Sequence, residues 1–161
     1  MNDVVELTLA DEEATMALGR HLAAILPADG LVAFLHGDLG AGKTTFARAF
    51  LQALGVGERV KSPTYSLVEG YDIGERKAFH LDLYRIADPG ELEWLGLDSL
   101  AEPGSIVLVE WPERGAGALP PVDLALNFRH EEAGRAVRFQ SRSPLGERVV
   151  AALGRFSSGP A

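Results

Sequence analysis

Nine residues constrain this chain more than any others: Gly37-Asp38-Leu39-Gly40-Ala41-Gly42-Lys43-Thr44-Thr45. They fit the pattern G-x-x-x-x-G-K-[ST], with Gly37 and Gly42 bracketing a loop that Lys43 and Thr44 close. Glycines let the backbone turn tightly enough for successive N–H groups to point inward at phosphate oxygens. Lys43 is then placed to reach β- and γ-phosphates, and the Thr44 hydroxyl to take one position on Mg²⁺. The flanks agree. Leu31-Val32-Ala33-Phe34-Leu35 is a short apolar run that predicts a buried strand. Residues 45–54 carry apolar side chains at 46, 50, 51 and 54, the spacing of a helix, and Gly55 follows as its C-cap. Strand, glycine loop and helix in that order aim the positive end of the helix dipole at an anion. The segment predicts a nucleoside triphosphate site.

Composition narrows the setting. The 161 residues suit one domain, assigned to 1–155 with a frayed tail at 156–161. No apolar run approaches the roughly 18–20 residues of a membrane span. The acidic N-terminus (Asp3, Glu6, Asp11, Glu12, Glu13) is unlike a signal peptide, so a cytoplasmic home is expected. With no cysteine, disulfides, thiolate metal sites and Cys nucleophiles are excluded together. A net charge of −8 argues against direct nucleic-acid binding by the chain alone, because such binding depends on neutralising phosphates.

Along the chain, residues 4–9 predict a strand and Asp11 caps a helix with acids in its first turn, ended by Pro27. Ser62-Pro63-Thr64 forces an extended or turn backbone, placed as an ordinary loop or a nucleotide-sensing switch. Residues 64–71 predict a strand, 72–75 a hairpin turn and 77–85 a second strand. Asp82 in that strand either faces the phosphates, orienting a water or the metal shell, or caps the next turn. His80 alternates with Asp82 and is expected as a packed histidine rather than a base. Asp88-Pro89-Gly90-Glu91 opens a further helix or helix pair reaching Leu100, with Trp94 in its core or interface. Ile106-Val107-Leu108-Val109 predicts a central strand whose tip, Glu110, either delivers a carboxylate beside the glycine loop to hold Mg²⁺ directly or through water, or is an unrelated acid ending a buried strand. Residues 120–128 and 136–140 alternate as a hairpin expected to close the sheet edge, and a helix at about 145–154 ends the fold.

Four blocks in this order, the glycine loop, Lys61-Ser62-Pro63-Thr64-Tyr65, His80-Leu81-Asp82-Leu83-Tyr84-Arg85 and Leu108-Val109-Glu110-Trp111-Pro112, resemble the TsaE family. The resemblance implies an α/β, three-layer P-loop NTPase fold: a mixed central sheet with helices on both faces and a C-terminal antiparallel hairpin. It implies an ATP- and Mg²⁺-dependent ATPase, slow alone and stimulated by partners. Those partners would be the TsaB–TsaD heterodimer, which threonylcarbamoylates an adenosine of tRNA, so that tRNA is met only through the complex. Carried over by position, Lys43 is the phosphate-binding lysine, Thr44 and Glu110 hold the metal, and Asp82 is required for activity. Ser62 and Thr64 match a switch-like loop, Trp111 stands beside Glu110, and Arg135 is expected near the nucleotide. A small-molecule kinase and a non-catalytic nucleotide-dependent assembly module are the alternatives. A GTP switch is not, since no N/T-K-x-D tetrapeptide occurs.

Overall fold

The computed structural model describes residues 4–38, 40–56, 68–74, 76–86, 88, 90, 102–132 and 134–153. Leu39, Ser62, Thr64, the helix expected after Asp88 with Trp94, and the tail at 156–161 lie outside the described residues.

A seven-stranded mixed sheet forms the centre, in the order β1-β7-β6-β2-β5-β4-β3. Its strands are β1 (Val4–Leu9), β2 (Leu31–Gly37), β3 (Val68–Ile73), β4 (Arg76–Asp82), β5 (Ile106–Glu110), β6 (Leu124–Glu131) and β7 (Gly134–Ser141). Among the described residues three α-helices accompany them: α1 (Glu12–Ala24), α2 (Lys43–Leu51) and α3 (Pro144–Leu153). The middle strands β6, β2, β5 and β4 run parallel, and the outer pairings β1–β7, β7–β6 and β4–β3 are antiparallel. Every residue of β5 is buried, as a strand covered on both faces requires.

Alternation along β2 separates two cores. Leu31, Ala33 and Leu35 join Ile106, Leu108, Leu126, Phe128 and Phe139 in a large cluster with Leu18 and Leu22 of α1, Phe46 and Phe50 of α2, and Val149, Val150 and Leu153 of α3. Val32 and Phe34 point the other way, into a smaller cluster with Leu81, Leu83, Ile86, Val107, Val109 and Trp111. Phe46 anchors the loop-bearing helix, stacked on Phe50 at 6.3 Å and edge-on to Phe128 at 5.6 Å. Among the described residues no helix is long and apolar enough to cross a membrane.

The Asp11 cap forms as expected, its carboxylate accepting from the Ala14 N–H at 2.9 Å. The chain turns between β3 and β4 at Gly74, within the predicted hairpin, and Gly55 closes the wide turn Gln52–Val56 in the left-handed region, φ 115°. Two expectations need correction. The C-terminal hairpin does not close the sheet edge, because β1 pairs antiparallel with β7 from Val4↔Gln140 to Leu9↔Arg135 and becomes the edge itself. Residues 120–123 are not strand: Pro120 and Pro121 lack ladder donors, and Asp123 bonds through its side chain as well as its backbone. Its Oδ2 accepts from the Val32 N–H at 2.9 Å, while its Oδ1 accepts from the Ser143 hydroxyl at 2.6 Å. Ser143 in turn accepts from the Gly146 N–H at 3.0 Å, so one carboxylate ties the start of β2 to the start of α3. Asp123→Ala is predicted to destabilise the fold by about 1–3 kcal/mol, the cost of orphaning such donors. Urea unfolding checks this, and a loss below about 0.5 kcal/mol, the range of ordinary surface substitutions, would contradict it.

Candidate functional site: a glycine-loop cleft at the strand ends

Parallel register decides which side chains meet. β2 ends at Gly37 and runs into the glycine loop, with Leu35 opposite Glu110 on β5. Glu110 in turn stands opposite Asp82 on β4. Loop, Glu110 and Asp82 therefore emerge at the carboxyl ends of neighbouring parallel strands, where open α/β sheets bind ligands. The same topology brings in two distant residues. β7 starts at this end with Arg135, and Arg135 pairs with Leu9, the last residue of β1, just before α1 begins. Glu12, in the first turn of α1, thereby lines the cleft with Arg135.

The cleft has a volume of about 280 Å³ and is lined by Gly40, Gly42, Lys43, Thr44 and Thr45 on one side and Asp82, Tyr84, Glu110 and Trp111 on the other. Gly42 precedes α2 with φ 109°, a backbone conformation that demands glycine, and a Cβ there would lie 2.6 Å from Nη1 of Arg135, the far end of a flexible side chain. Gly37, at φ 141°, would set a Cβ 2.5 Å from the Phe128 carbonyl, the closeness by which β6 supports the loop. Helix α2 begins at Lys43, two residues before the predicted start, so Lys43 and Thr44 are already helical and fixed in direction. It gives way to the wide turn at Gln52, short of the predicted Leu54.

Lys43 is 4% exposed. Its Nζ donates to the Gly37 carbonyl at 2.6 Å and lies 3.8 Å from the centre of the Trp111 ring, a cation–π contact. Burial pushes its pKa below the ordinary 10.5, against the pull of Glu110, Asp82, Glu113 and Asp38. Trp111 holds its place at φ 58°, the only non-glycine at positive φ among the described residues. A bulky side chain there costs on the order of 1–2 kcal/mol. The turn is fastened by the Arg114 N–H donating to the Trp111 carbonyl at 3.1 Å and by the Tyr84 ring at 5.1 Å.

The Thr44 hydroxyl donates to Glu110, 3.0 Å from Oε1 and 3.3 Å from Oε2. Glu110 is 3% exposed, and its Oε2 lies 2.6 Å from Nε2 of fully buried His80. Thus His80 is packed, as the strand pattern predicts, but it packs onto the cleft's central carboxylate. Asp82 caps the next turn and also lines the cleft. Its Oδ1 accepts from the Tyr84 N–H at 3.1 Å, which caps the turn and ends β4 there rather than at Arg85, and the same carboxyl lines the cleft. Burial raises its pKa above the ordinary carboxylate value; the Tyr84 N–H opposes that shift and the Glu110 charge reinforces it.

A hydroxyl and a carboxylate in contact, beside a buried ammonium and glycine-loop amides, are the hard-oxygen and phosphate-binding groups that Mg²⁺ and a triphosphate need. Mg²⁺ takes one or two protein oxygens and completes its shell with phosphate and water, so Thr44 with Glu110 fits it. The structure brings Lys43, Thr44, Asp82, Glu110 and Arg135, all named from the sequence, together at this cleft. Motif reading missed Glu12 and Tyr84, whose approach depends on strand pairing and on the turn after β4.

Together the fold and the site define the chain as a P-loop NTPase-type α/β protein. A solved structure, Bacillus subtilis YdiB, superposes with a TM-score of 0.77 at 29% identity, covering 96% of this chain and 97% of that one. The family model described as "Threonylcarbamoyl adenosine biosynthesis protein TsaE" matches residues 9–138. A Haemophilus influenzae protein named "tRNA threonylcarbamoyladenosine biosynthesis protein TsaE" is 40% identical over 149 residues, 90% of this chain and 94% of that protein. A Bacillus subtilis protein of the same name is 42% identical over 99 residues, 62% of this chain and 61% of its own. The chain belongs to the TsaE family.

The depressed Lys43 pKa carries a stability consequence. The unfolded chain binds this proton more tightly, so the penalty is fully present at neutral pH and is relieved as pH rises from the lowered native value through 10.5. Lys43→Met is therefore predicted to melt at or above the parent's temperature at pH 7 without nucleotide. A variant melting more than about 4 °C lower, roughly 1 kcal/mol in a domain of this size, would contradict this.

Proposed function

We propose that this protein binds ATP with Mg²⁺ and hydrolyses it in support of tRNA threonylcarbamoyladenosine biosynthesis, acting on the TsaB–TsaD heterodimer. The observation that carries the reading is the contact of Thr44 with Glu110 beside buried Lys43 at the mouth of a glycine loop. The names of the relatives support the pathway.

In this reading the loop amides and Lys43 bind the β- and γ-phosphates, with Lys43 leaving the Gly37 carbonyl for a better acceptor. Thr44 and Glu110 hold Mg²⁺, which when bound neutralises charge developing on the transferred phosphoryl group. Asp82 orients the attacking water and accepts its proton, and its raised pKa suits that task better than an ordinary carboxylate's. Arg135, packed over Gly42, adds positive charge on the nucleotide side of the loop. Trp111 and Tyr84 wall the cleft, and Tyr84, 40% exposed, leaves a surface that a partner could meet.

Two substitutions separate these roles. Asp82→Asn is predicted to leave ATP affinity within about threefold while lowering turnover by about 10²-fold or more, the scale of a lost general base. Glu110→Ala is predicted to weaken Mg²⁺-dependent binding itself. Equilibrium binding and single-turnover hydrolysis check both. Equal loss of binding in the two variants would refute the division, and unchanged hydrolysis in Asp82→Asn would show that a group other than Asp82 activates the water.

A further inference from the structure

Among the described residues the Glu110 carboxylate has two side-chain hydrogen-bond partners, and only Thr44 of these belongs to the metal site just proposed. The other is His80. Its ring is completely buried, and its Nε2 sits 2.6 Å from Oε2 of Glu110. A carboxylate only accepts, so the ring donates from Nε2. Its other nitrogen, Nδ1, has no hydrogen-bond partner among the described residues. The β4–β5 register sets His80 opposite Leu108 and Asp82 opposite Glu110, so His80 lies one pleat behind Asp82 and reaches diagonally along the sheet.

The neighbours show what this position would otherwise hold. Ala78 and Leu81 on β4, and Leu108 across the ladder, are apolar and fully buried. Packing alone is served by an apolar side chain, without burying an imidazole whose second nitrogen goes unsatisfied. The polar group is explained by the one bond it makes.

We propose that His80 is a positioning residue for metal binding: by holding Oε2 of Glu110, it keeps Oε1 turned to Thr44 and to Mg²⁺. This rests on the reading of the cleft as a Mg²⁺–nucleotide site. A ligating carboxylate pinned by a second hydrogen bond loses less rotamer freedom on taking up the metal. Loss of such an outer partner typically weakens metal affinity by about 10–100-fold.

The test is ATP affinity measured by equilibrium binding across a MgCl₂ titration, and again in EDTA. In His80→Leu, the Mg²⁺ concentration giving half of the affinity gain should rise about 10–100-fold, with ATP affinity in EDTA unchanged. His80→Gln, which keeps a donor at nearly the same reach, should recover most of the shift. A merely structural role would lower affinity with and without metal alike. A folded His80→Leu with its midpoint moved less than about twofold overturns the proposal, as do equal shifts in the two folded variants. Should His80→Leu fail to melt cooperatively, the wild-type ring decides: its ¹⁵N resonances should move when Mg²⁺ is added to the ATP complex, and fixed resonances overturn the proposal. Wild-type ATP affinity indifferent to Mg²⁺ would bring down the metal-site reading and this inference with it.

Discussion

The hydrogen bond from Thr44 to Glu110 joins two parts of the chain 66 residues apart, and the cleft depends on it. Thr44 sits in the first turn of α2, and Glu110 is the last residue of β5. They meet because β2 and β5 pair in parallel with Leu35 opposite Glu110. A slip of one residue in that ladder would turn Glu110 to the other face of the sheet and bring Val109 toward the loop. Register, held by the buried aliphatic side chains of β5, is thus what converts a sequence motif into a site.

Several features of the cleft oppose stability, and they cluster around this bond. Lys43 is buried with its charge disfavoured, Asp82 is desolvated next to Glu110, and Trp111 occupies a backbone region that a tryptophan rarely adopts. Each is held by a particular neighbour: the Gly37 carbonyl, the Tyr84 N–H, and the stack of Lys43 and Tyr84 on the indole. Strain and unfavourable charge concentrated at one cleft, in an otherwise well-packed sheet, are expected where a fold has been shaped for a ligand. Phe46, locked between Phe50 and Phe128, keeps the helix that carries Lys43 and Thr44 from yielding to that strain.

Local chemistry made much of this legible in the sequence. The glycine loop could be read because its residues act through the backbone within one short stretch, and the four aliphatic residues before Glu110 signal a buried strand whatever lies around them. What could not be read depends on pairing between distant segments. Nothing within residues 4–9 says that they will lie against β7, so the hairpin looked like an edge and Glu12 looked like an ordinary first-turn acid. His80 gave a partial signal through its alternation with Asp82, but its bond to Glu110 follows from the β4–β5 register. The end of β4 was misplaced because apolar and polar residues continue to alternate to Arg85, while the Asp82 side chain captures the Tyr84 N–H and turns the chain.

The central claim is that this cleft is a hydrolytic engine whose turnover serves a larger modification complex. The most direct test is steady-state ATP hydrolysis by the purified chain, first alone and then with TsaB and TsaD added. The account predicts slow turnover alone and a rise of at least about tenfold with both partners, within reach of one added transition-state contact. Turnover that the partners leave unchanged would contradict it.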